Sequence, residues 1–467
     1  MTPSIEVKEL SIFVGKQCLV ESLSLRLMPG MPLTILGQTG SGKSLLAQAI
    51  MGLLPDEMTL KGEILYEGQP LLTLPKAKRQ ALWGRALAML PQEPWHALDP
   101  VMKSQQQVAE VFELVGGLEE EQAQEKASQA LTEMGLAAAK DKIPSQLSGG
   151  MAQRLAFLAA TAAGGDLILA DEPTKGLDYS RRDQIVALLQ SRLVNGSLLT
   201  ITHDVDVARQ LGGELIVMCQ GQVVEQGDAA TILAHPQADY TRQLLAAEPS
   251  SWNKVSARTQ SSAEPIVTLE KVALSRGGNR LFSDLSFQLH AGEILGIVGD
   301  SGTGKSSLGD LLLGHLQPDQ GRIRFAERYK RHQLLKLYQD PPAAFAPHIP
   351  LGRLLHEVIN LHGLDAAQIP RLMARLKLSE GLLSRTALEV SGGELQRIAL
   401  LRILLLKPVL LFADEPTSRL DLISAQRIME LLVEIAREEG CALVLVSHDP
   451  ILVEKVCDQV IRIAQPI

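Results

Sequence analysis

Two glycine-rich segments of the 467-residue chain have the composition of a phosphate-binding loop. They read G-Q-T-G-S-G-K-S and G-D-S-G-T-G-K-S, and both fit the pattern G-x-x-x-x-G-K-[ST]. The glycines of this pattern let backbone N–H groups wrap phosphates, the lysine neutralises their charge, and the last hydroxyl can bind Mg²⁺. The candidate phosphate-binding residues are Gly37, Gln38, Thr39, Gly40, Ser41, Gly42, Lys43 and Ser44 in the first loop, and Gly299, Asp300, Ser301, Gly302, Thr303, Gly304, Lys305 and Ser306 in the second.

An acidic pair follows each loop, in the segments L-I-L-A-D-E-P-T and L-L-F-A-D-E-P-T. The apolar residues before each pair predict a buried strand with the acids at its tip. We expect Asp171 and Asp414 to hold the Mg²⁺ shell, as the acidic partner of such a loop does. Glu172 and Glu415 are then placed to orient or deprotonate a water that attacks a γ-phosphate.

A histidine closes each half of the chain. His203 and His448 each follow a β-type run and precede an aspartate. A lone histidine at a strand end is usually structural, but its recurrence at matched positions favours a contact with the γ-phosphate.

A second type of anion site is predicted by the segments L-S-G-G-M-A-Q-R and V-S-G-G-E-L-Q-R. Each places a Ser-Gly-Gly turn before a helix-forming run, and backbone N–H groups at a helix N-terminus attract anions. Its candidate residues are Ser148, Gly149, Gly150, Ser391, Gly392 and Gly393.

These motifs recur in the same order, so the chain is a duplicated domain with a shorter second copy. We predict a first domain at 1–247, a serine-rich and proline-bounded exposed linker at 248–264, and a second domain at 265–467. The elements that must position the motifs form an α/β fold. Strands are expected at 32–36, 167–170, 198–202, 294–298, 409–412 and 442–446, and helices at 43–54 and 305–316.

Composition limits the function classes. The formal net charge is −8 and no strongly basic run is present, which argues against nucleic acid as the main partner. No apolar run reaches the ~20 residues of a membrane span, and no signal peptide precedes the first loop. We expect a cytoplasmic chain.

The ordered set of glycine loop, glutamine loop, S-G-G helix, D-E-P-T and histidine resembles the nucleotide-binding domain of ABC ATPases. The resemblance covers nearly the whole chain, twice. It implies two tandem P-loop NTPase domains of the ABC type, each with a helical signature subdomain, that bind ATP and Mg²⁺. Gln92 and Gln339, in P-Q-E-P-W and Y-Q-D-P-P, would then contact the nucleotide and the metal.

The resemblance also implies a role for the second anion site. In ABC ATPases each ATP lies between the P-loop of one domain and the signature of the other. Lys43 would share its ATP with Ser391, Gly392 and Gly393, and Lys305 would share its own with Ser148, Gly149 and Gly150. The two halves would pair internally, without an obligatory homodimer.

Among ABC proteins, the segment H-P-Q-A-D-Y-T-R-Q-L-L-A and the glutamine loops resemble ATPases of the oligopeptide, dipeptide and nickel importer class. That likeness implies two transmembrane permease subunits, a substrate-binding protein and a peripheral position on the inner face of the cell membrane. Trp95 and Phe345 are candidate contacts of a permease, and the alternative is that each is a half-buried loop aromatic. A fused sugar importer ATPase, a carbon–phosphorus lyase accessory ATPase and a non-transport tandem ABC protein remain alternatives.

One position departs from the family pattern. The residue after S-G-G is Glu394 in the second half and Met151 in the first. A thioether donates no hydrogen bond. One hypothesis is that the site of Lys305 and the first signature turns over more slowly; the alternative is that backbone N–H groups carry the contact and Met151 is tolerated.

Overall fold

The structure is a computed structural model. It describes residues 2–38, 40–175, 177, 179–194, 196–255, 264–299, 302–326, 329–339, 344–418 and 420–463. The chain divides into two compact units, Met1–Leu245 and Ala246–Ile467.

The first unit combines two sheets with surrounding helices. Its strands are β1 (Ile5–Val14), β2 (Gln17–Leu27), β3 (Leu33–Gly37), β4 (Met58–Tyr66), β5 (Gln69–Pro70), β6 (Leu87–Leu90), β7 (Leu167–Asp171), β8 (Ser197–Thr202), β9 (Glu214–Cys219) and β10 (Gln222–Asp228). Its helices are α1 (Lys43–Met51), α2 (Lys76–Gln80), α3 (Ser104–Glu110), α4 (Glu120–Glu133), α5 (Gly149–Thr161), α6 (Tyr179–Ser191), α7 (Val205–Leu211), α8 (Ala229–Ala234) and α9 (Asp239–Ala246).

The second unit repeats the plan with fewer elements. Its strands are β11 (Val267–Arg276), β12 (Asn279–Leu289), β13 (Ile294–Val298), β14 (Gln320–Phe325), β15 (Leu334–Leu337), β16 (Leu410–Asp414), β17 (Ala442–Val446) and β18 (Gln459–Arg462). Its helices are α10 (Lys305–Leu312), α11 (Leu351–His362), α12 (Gln368–Arg375), α13 (Gly392–Leu405), α14 (Leu422–Glu439) and α15 (Pro450–Val456).

A mainly parallel sheet organises each unit. The strand order is β10-β9-β3-β8-β7-β6 in the first unit and β15-β16-β17-β13-β18 in the second. Every residue of β3, β7, β8, β16 and β17 is buried, which explains why these strands are largely apolar and do not alternate with exposed polar residues. Because the strands are parallel, the carboxyl ends of β3, β7 and β8 lie at one edge of the sheet.

A separate apolar cluster lies among α3, α4 and α5 of the first unit. Val108, Ala127, Leu131 and Leu155 form its centre, and each is fully buried. This cluster is the core of the helical subdomain that the family resemblance implies. It places the N-terminus of α5, which carries the first S-G-G turn, at the surface.

The helices after the glycine loops are shorter than predicted. Helix α1 ends at Met51 because Gly52 takes a left-handed conformation with φ of 68° and donates its N–H to the Ala49 carbonyl. Helix α10 ends at Leu312, shortly before Gly314, whose φ is 71°. Glycine ends both helices by permitting a conformation that other residues adopt at a cost.

The segment predicted as an exposed linker is partly packed on the second unit. Trp252 is half-buried against the second unit's core and donates its indole N–H to the Ala247 carbonyl at 3.1 Å. Lys455 donates its ammonium to the Trp252 carbonyl at 2.6 Å, and the Val255 N–H reaches the Lys455 carbonyl at 2.8 Å. The serine and proline content of the segment predicted an exposed linker and did not reveal that Trp252 packs against the second unit. Residues 256–263 lie outside the described part.

Gly296 of β13 gives a test of the second unit's packing. A Cβ at this position would lie 2.2 Å from Val453 Cγ1 and 2.9 Å from Cys457 Sγ. We therefore expect Gly296→Ala to lower the free energy of unfolding by about 1–3 kcal/mol through overpacking. Thermal unfolding followed by circular dichroism measures the change. The control is Gly381→Ala, because Gly381 is exposed and has no atom within 4 Å of an added Cβ; an equal loss in both variants would contradict the packing argument.

Candidate functional site

The first glycine loop connects the end of β3 to the start of α1. At Gly37 a Cβ would lie 2.2 Å from the Met218 carbonyl oxygen, so the sheet leaves room only for glycine. Gly42 precedes the helix with φ of 88°, a left-handed conformation that glycine adopts without strain. Together they direct the chain so that Lys43 is the first residue of α1.

The Lys43 ammonium is held inside this loop. It donates to the carbonyl oxygens of Gly37 and Gln38, both at 2.7 Å, and to Ser41 Oγ at 3.3 Å. The side chain is only 5% exposed. A buried cation at the N-terminus of a helix, among backbone N–H groups, forms an anion-binding site.

The second glycine loop has the same construction. Lys305 begins α10 and donates its ammonium to the Gly299 carbonyl at 2.6 Å, while Gly304 has φ of 98°. A Cβ at Gly299 would lie 2.4 Å from the Ile463 carbonyl oxygen. Of the predicted loop residues, Thr39, Asp300 and Ser301 lie outside the described part.

Tyr240 of α9 contacts the first loop, which sequence reasoning did not predict. Its hydroxyl accepts the backbone N–H of Gln38 at 3.0 Å. The residue belongs to the H-P-x-x-x-Y-T-R segment used above for classification, and 202 positions of sequence separate the two groups.

The two D-E pairs lie at the tips of β7 and β16, as predicted. Ser44 Oγ donates to Asp171 Oδ1 at 3.0 Å. Burial raises the pKa of Asp171 above its ordinary value, against the opposing effect of the Ser44 hydroxyl. A hydroxyl and a carboxylate held this close are hard oxygen donors that fit Mg²⁺.

Glu172 forms a hydrogen-bonded pair with His203. His203 Nδ1 lies 2.7 Å from Glu172 Oε2. Burial on its own would raise the pKa of Glu172, but the charge of His203 and its hydrogen bond outweigh burial and leave the pKa below its usual value. Burial likewise lowers the pKa of His203, and the Glu172 carboxylate raises it by more. Glu172 is therefore ionised at neutral pH, the state in which it can accept a proton.

The second unit repeats this pair with different contacts. His448 Nε2 lies 2.5 Å from Glu415 Oε1. The two histidines therefore contact their glutamates through different ring nitrogens, Nε2 in His448 and Nδ1 in His203. Gln339 Nε2 also donates to Glu415 Oε2 at 2.7 Å. Gln92 is exposed in the first unit and lines the cleft beside Glu172.

Both glutamates have an unusual backbone. The φ angles of Glu172 and Glu415 are 50° and 46°, in the left-handed region that disfavours side chains other than glycine. Their N–H groups remain bonded to the carbonyls of Ile201 and Val446 at 2.8 and 3.1 Å. A conformation costing about 1–3 kcal/mol that recurs at the same position in both units points to a functional requirement.

These groups surround one cleft in the first unit, with a volume of about 260 Å³. Its lining contains the predicted residues Gly40, Gly42, Lys43, Ser44, Gln92, Glu172 and His203, and also Leu19, Leu45 and Lys175. Lys175 directly follows D-E-P-T in the sequence. A cation at this position could have been predicted to line the cleft, but the sequence analysis did not single it out.

The second unit differs at its acidic residue. Asp414 Oδ2 lies 3.0 Å from the ammonium of Lys336. Ser306 is exposed, and within the described residues its hydroxyl forms no hydrogen bond with Asp414. Of the oxygen donors predicted for Mg²⁺, the serine and the aspartate are therefore joined by a hydrogen bond in the first unit, and within the described residues no such bond joins Ser306 and Asp414.

The S-G-G turns begin α5 and α13, as predicted, and they are capped differently. Ser391 and Glu394 form a capping box, because Glu394 Oε2 accepts the Ser391 N–H at 3.0 Å and its hydroxyl at 2.7 Å. Ser148 accepts the Met151 N–H at 3.4 Å, and no carboxylate takes part. Ser148, Gly149, Ser391 and Gly392 are exposed, so both helix N-termini are accessible to an anion.

A buried glutamine links each signature helix to the turn after the acidic pair. Gln153 Nε2 donates to the Pro173 carbonyl, and Gln396 Nε2 donates to the Pro416 carbonyl at 3.2 Å. Both glutamines are 2% exposed. Each is the glutamine of the segment S-G-G-x-x-Q, and its contact with the proline carbonyl was not predicted from the sequence.

The candidate permease contact at Phe345 is wrong. Phe345 belongs to the buried core of the second unit, and the Arg402 guanidinium lies 4.8 Å from its ring centroid. A loop aromatic can turn inwards, and sequence position does not reveal this. The side chain of Trp95 lies outside the described part.

The sequence profile described as "ABC transporter" matches residues 20–175 and 282–418. Each match contains the glycine loop, S-G-G helix and acidic pair of one unit. The chain belongs to the ABC transporter family. It is an ATP-binding ATPase with two cassettes, so the fold and recognition expected from the motifs are confirmed.

Several curated proteins are similar along almost the entire chain. The ABC transporter ATP-binding protein YejF of Escherichia coli K12 is 35% identical, over 96% of this chain and 90% of that protein. The peptidoglycan transport ATP-binding protein YejF of Agrobacterium fabrum is 32% identical, over 98% and 90%. The glutathione import ATP-binding protein GsiA of Salmonella typhi is 32% identical, over 94% and 81%.

Two solved structures share the fold over nearly the whole of this chain. The archaeal ribosome recycling factor aABCE1, solved with the ribosomal stalk protein aP1, is 20% identical with a TM-score of 0.65, over 95% of this chain and 84% of that chain. RNase-L Inhibitor is 19% identical with a TM-score of 0.65, over 97% and 88%. At this identity the likeness shows the fold alone. Within the described residues, no helix has the length and apolar character needed to cross a membrane.

The unequal caps of α5 and α13 can be tested by exchange. Glu394→Met removes the acceptor of two hydrogen bonds at Ser391, and we expect it to lower the free energy of unfolding by about 0.5–2 kcal/mol. Met151→Glu creates the same capping box in α5 and is expected to raise it. Thermal unfolding measures both, and an unchanged midpoint in both variants would contradict the assigned caps.

Proposed function

We propose that this chain binds two Mg²⁺–ATP molecules and uses their hydrolysis to power import of short peptide-like substrates across a membrane. The observation that carries the proposal is similarity over both cassettes to importers of such substrates. The relatives named for glutathione import and peptidoglycan transport align with 94% and 98% of this chain. The assignment of cargo, metal and individual site residues is part of the proposal.

In the first unit the proposed binding of ATP follows from the cleft. Backbone N–H groups at the start of α1 and the Lys43 ammonium hold the phosphates. Ser44, Asp171 and Gln92 would hold Mg²⁺, which neutralises phosphate charge when it is bound. In the second unit the corresponding residues are Lys305, Ser306, Asp414 and Gln339.

The proposed hydrolysis depends on the glutamate–histidine pairs. Ionised Glu172 accepts a proton from, or orients, the water that attacks the γ-phosphate. His203 fixes the carboxylate through its 2.7 Å hydrogen bond and presents its other ring nitrogen to the phosphate. Glu415 and His448 have the same roles in the second unit.

We also propose that each signature completes the ATP site of the other cassette. The support is chemical, because each unit carries one P-loop and one exposed S-G-G helix N-terminus, and helix N-termini of both kinds attract anions. ATP that bridges two such surfaces closes them, and hydrolysis removes the bridge. Ser391, Gly392 and Gly393 would face the ATP of Lys43, and Ser148, Gly149 and Gly150 that of Lys305.

The proposed partners are two transmembrane permease subunits and a substrate-binding protein. The family implies that a chain of this kind works with membrane subunits. We place the chain on the inner face of the membrane, where ATP is available. The permeases and binding protein would select the cargo.

The roles of the two glutamates lead to a prediction about ATP hydrolysis. We expect the paired Glu172→Gln, Glu415→Gln variant to lose at least about 100-fold of its ATPase rate, because the proton acceptor is removed and the side-chain shape retained. The single Glu172→Gln variant should lose more than Glu415→Gln if the site of Lys305 is the slower one. Phosphate release measures the rates, with exposed Glu121→Gln as the matched control. Equal single-variant losses would contradict the inequality of the sites, and an active double variant would contradict the glutamate roles.

The cargo can be identified by uptake in a deletion strain. The strain is complemented with the native chain or with the Glu172→Gln, Glu415→Gln variant, and it receives labelled short peptides. We expect uptake only with the native chain. Cellular nickel, cobalt and zinc are measured in the same strains. If the content of one metal is lower with the variant than with the native chain, while peptide uptake is the same in both, metal import would replace the peptide assignment.

A further inference from the structure

A lysine occupies the acidic end of the second ATP site. We infer that Lys336 is a positioning residue that lowers the affinity of the second ATP site for a divalent cation, so that this site needs more Mg²⁺ than the first site for nucleotide binding. This inference rests on the proposed function of the site in ATP binding. It concerns a contact that no motif of the sequence describes.

The ammonium of Lys336 is enclosed by acidic and aromatic groups. It lies 3.0 Å from Asp414 Oδ2 and 3.9 Å from Asp310 Oδ1, and the side chains of Lys336 and Asp414 are 10% and 9% exposed. It also lies 5.4 Å from the ring centroids of both Phe412 and Tyr338. Lysine is almost never buried without such partners.

The first unit has neutral residues at the corresponding positions. Lys336 is opposite Phe412 in the pairing of β15 with β16, and Met89 is opposite Leu169 in the pairing of β6 with β7. The counterpart of Asp310, the sixth residue of α10, is Gln48, the sixth residue of α1. The second unit therefore has one cation, Lys336, and one anion, Asp310, where the first unit has two neutral residues.

The surrounding residues are adapted to this exchange. The ring of Phe412 lies against Gly309, where a Cβ would be only 2.5 Å from Phe412 Cε1. The first unit has Ala47 and Leu169 at these two positions. A larger ring opposite a smaller helix residue leaves space for the lysine stem and presents an aromatic face to its ammonium. The first unit shows that the fold itself does not require the lysine.

The consequence for metal binding follows from charge. In the first unit Asp171 accepts the Ser44 hydroxyl at 3.0 Å and also lies in the electrostatic field of Lys43 and Lys175, but the neighbouring strand position, Met89, supplies no cation. In the second unit a fixed positive charge already lies on Asp414, and it repels a divalent cation at the same carboxylate.

The test measures binding of a fluorescent ATP analogue to the full chain against free Mg²⁺ concentration. Lys43→Ala removes binding at the first site, so the remaining signal reports the second. On this background we compare the native residues with Lys336→Met, Asp310→Gln, which restores the neutral pair of the first unit. We expect the Mg²⁺ concentration for half-maximal binding to fall roughly tenfold in the neutral variant.

The reciprocal exchange guards against a failure of folding. On a Lys305→Ala background, Met89→Lys, Gln48→Asp should raise the Mg²⁺ requirement of the first site. Lys336→Arg should retain the native requirement, because it keeps the positive charge. Unfolding midpoints measured without nucleotide show whether a variant is destabilised. A purely structural effect would change the midpoint and leave the Mg²⁺ concentration for half-maximal nucleotide binding unchanged.

The outcomes separate the inference from the function it depends on. Unchanged Mg²⁺ half-points in both exchanges overturn the role of Lys336 and leave ATP binding intact. A shift at the second site without the reciprocal shift at the first, in folded variants, also overturns it as a charge effect. Loss of nucleotide binding by the otherwise native chain overturns the proposed function itself.

Discussion

The site depends on a buried ammonium that is enclosed by backbone carbonyls at the tip of a parallel sheet. Lys43 is 5% exposed and Lys305 is 7% exposed, and each donates to the carbonyl of the first glycine of its loop, Gly37 at the end of β3 and Gly299 directly after β13. A positive charge at the N-terminus of a helix, where backbone N–H groups also point, suits an anionic ligand. The parallel sheet brings the acids of β7 and the histidine after β8 to the same edge, because neighbouring strands end there.

The two units share the residues of the nucleotide site and differ in the contacts that surround them. Both units keep the lysine, the acidic pair, the histidine and the strained glutamate backbone. Their supporting contacts differ. The first loop receives Tyr240 from α9, and in the described part of the second unit the last element is β18. The second unit has Lys336 at Asp414, and the signatures differ in their caps. Two of these differences, Met151 and Lys336, fall in the ATP site that the proposal assigns to Lys305.

Much of the site was predictable because its residues are set by spacing within short segments. The loop residues, the strand-tip acids and the S-G-G helix starts follow from local geometry, and the structure places those it describes as expected. Contacts between distant segments were not predictable. Tyr240 reaches Gln38 across 202 positions, and the sequence L-L-K-L gives no sign of what its lysine meets. The ends of α1 and α10 depend on glycine caps, while the positions of Phe345 and Trp252 depend on packing that composition does not record.

We propose that one chain carries two nucleotide sites, each built on its own P-loop lysine. Equilibrium titration of ATP into the Glu172→Gln, Glu415→Gln chain counts these sites directly, because hydrolysis is suppressed. We expect two ATP molecules per chain, and one after addition of either Lys43→Ala or Lys305→Ala. A single ATP in the parent chain, or two that persist after a lysine is removed, would contradict the proposal.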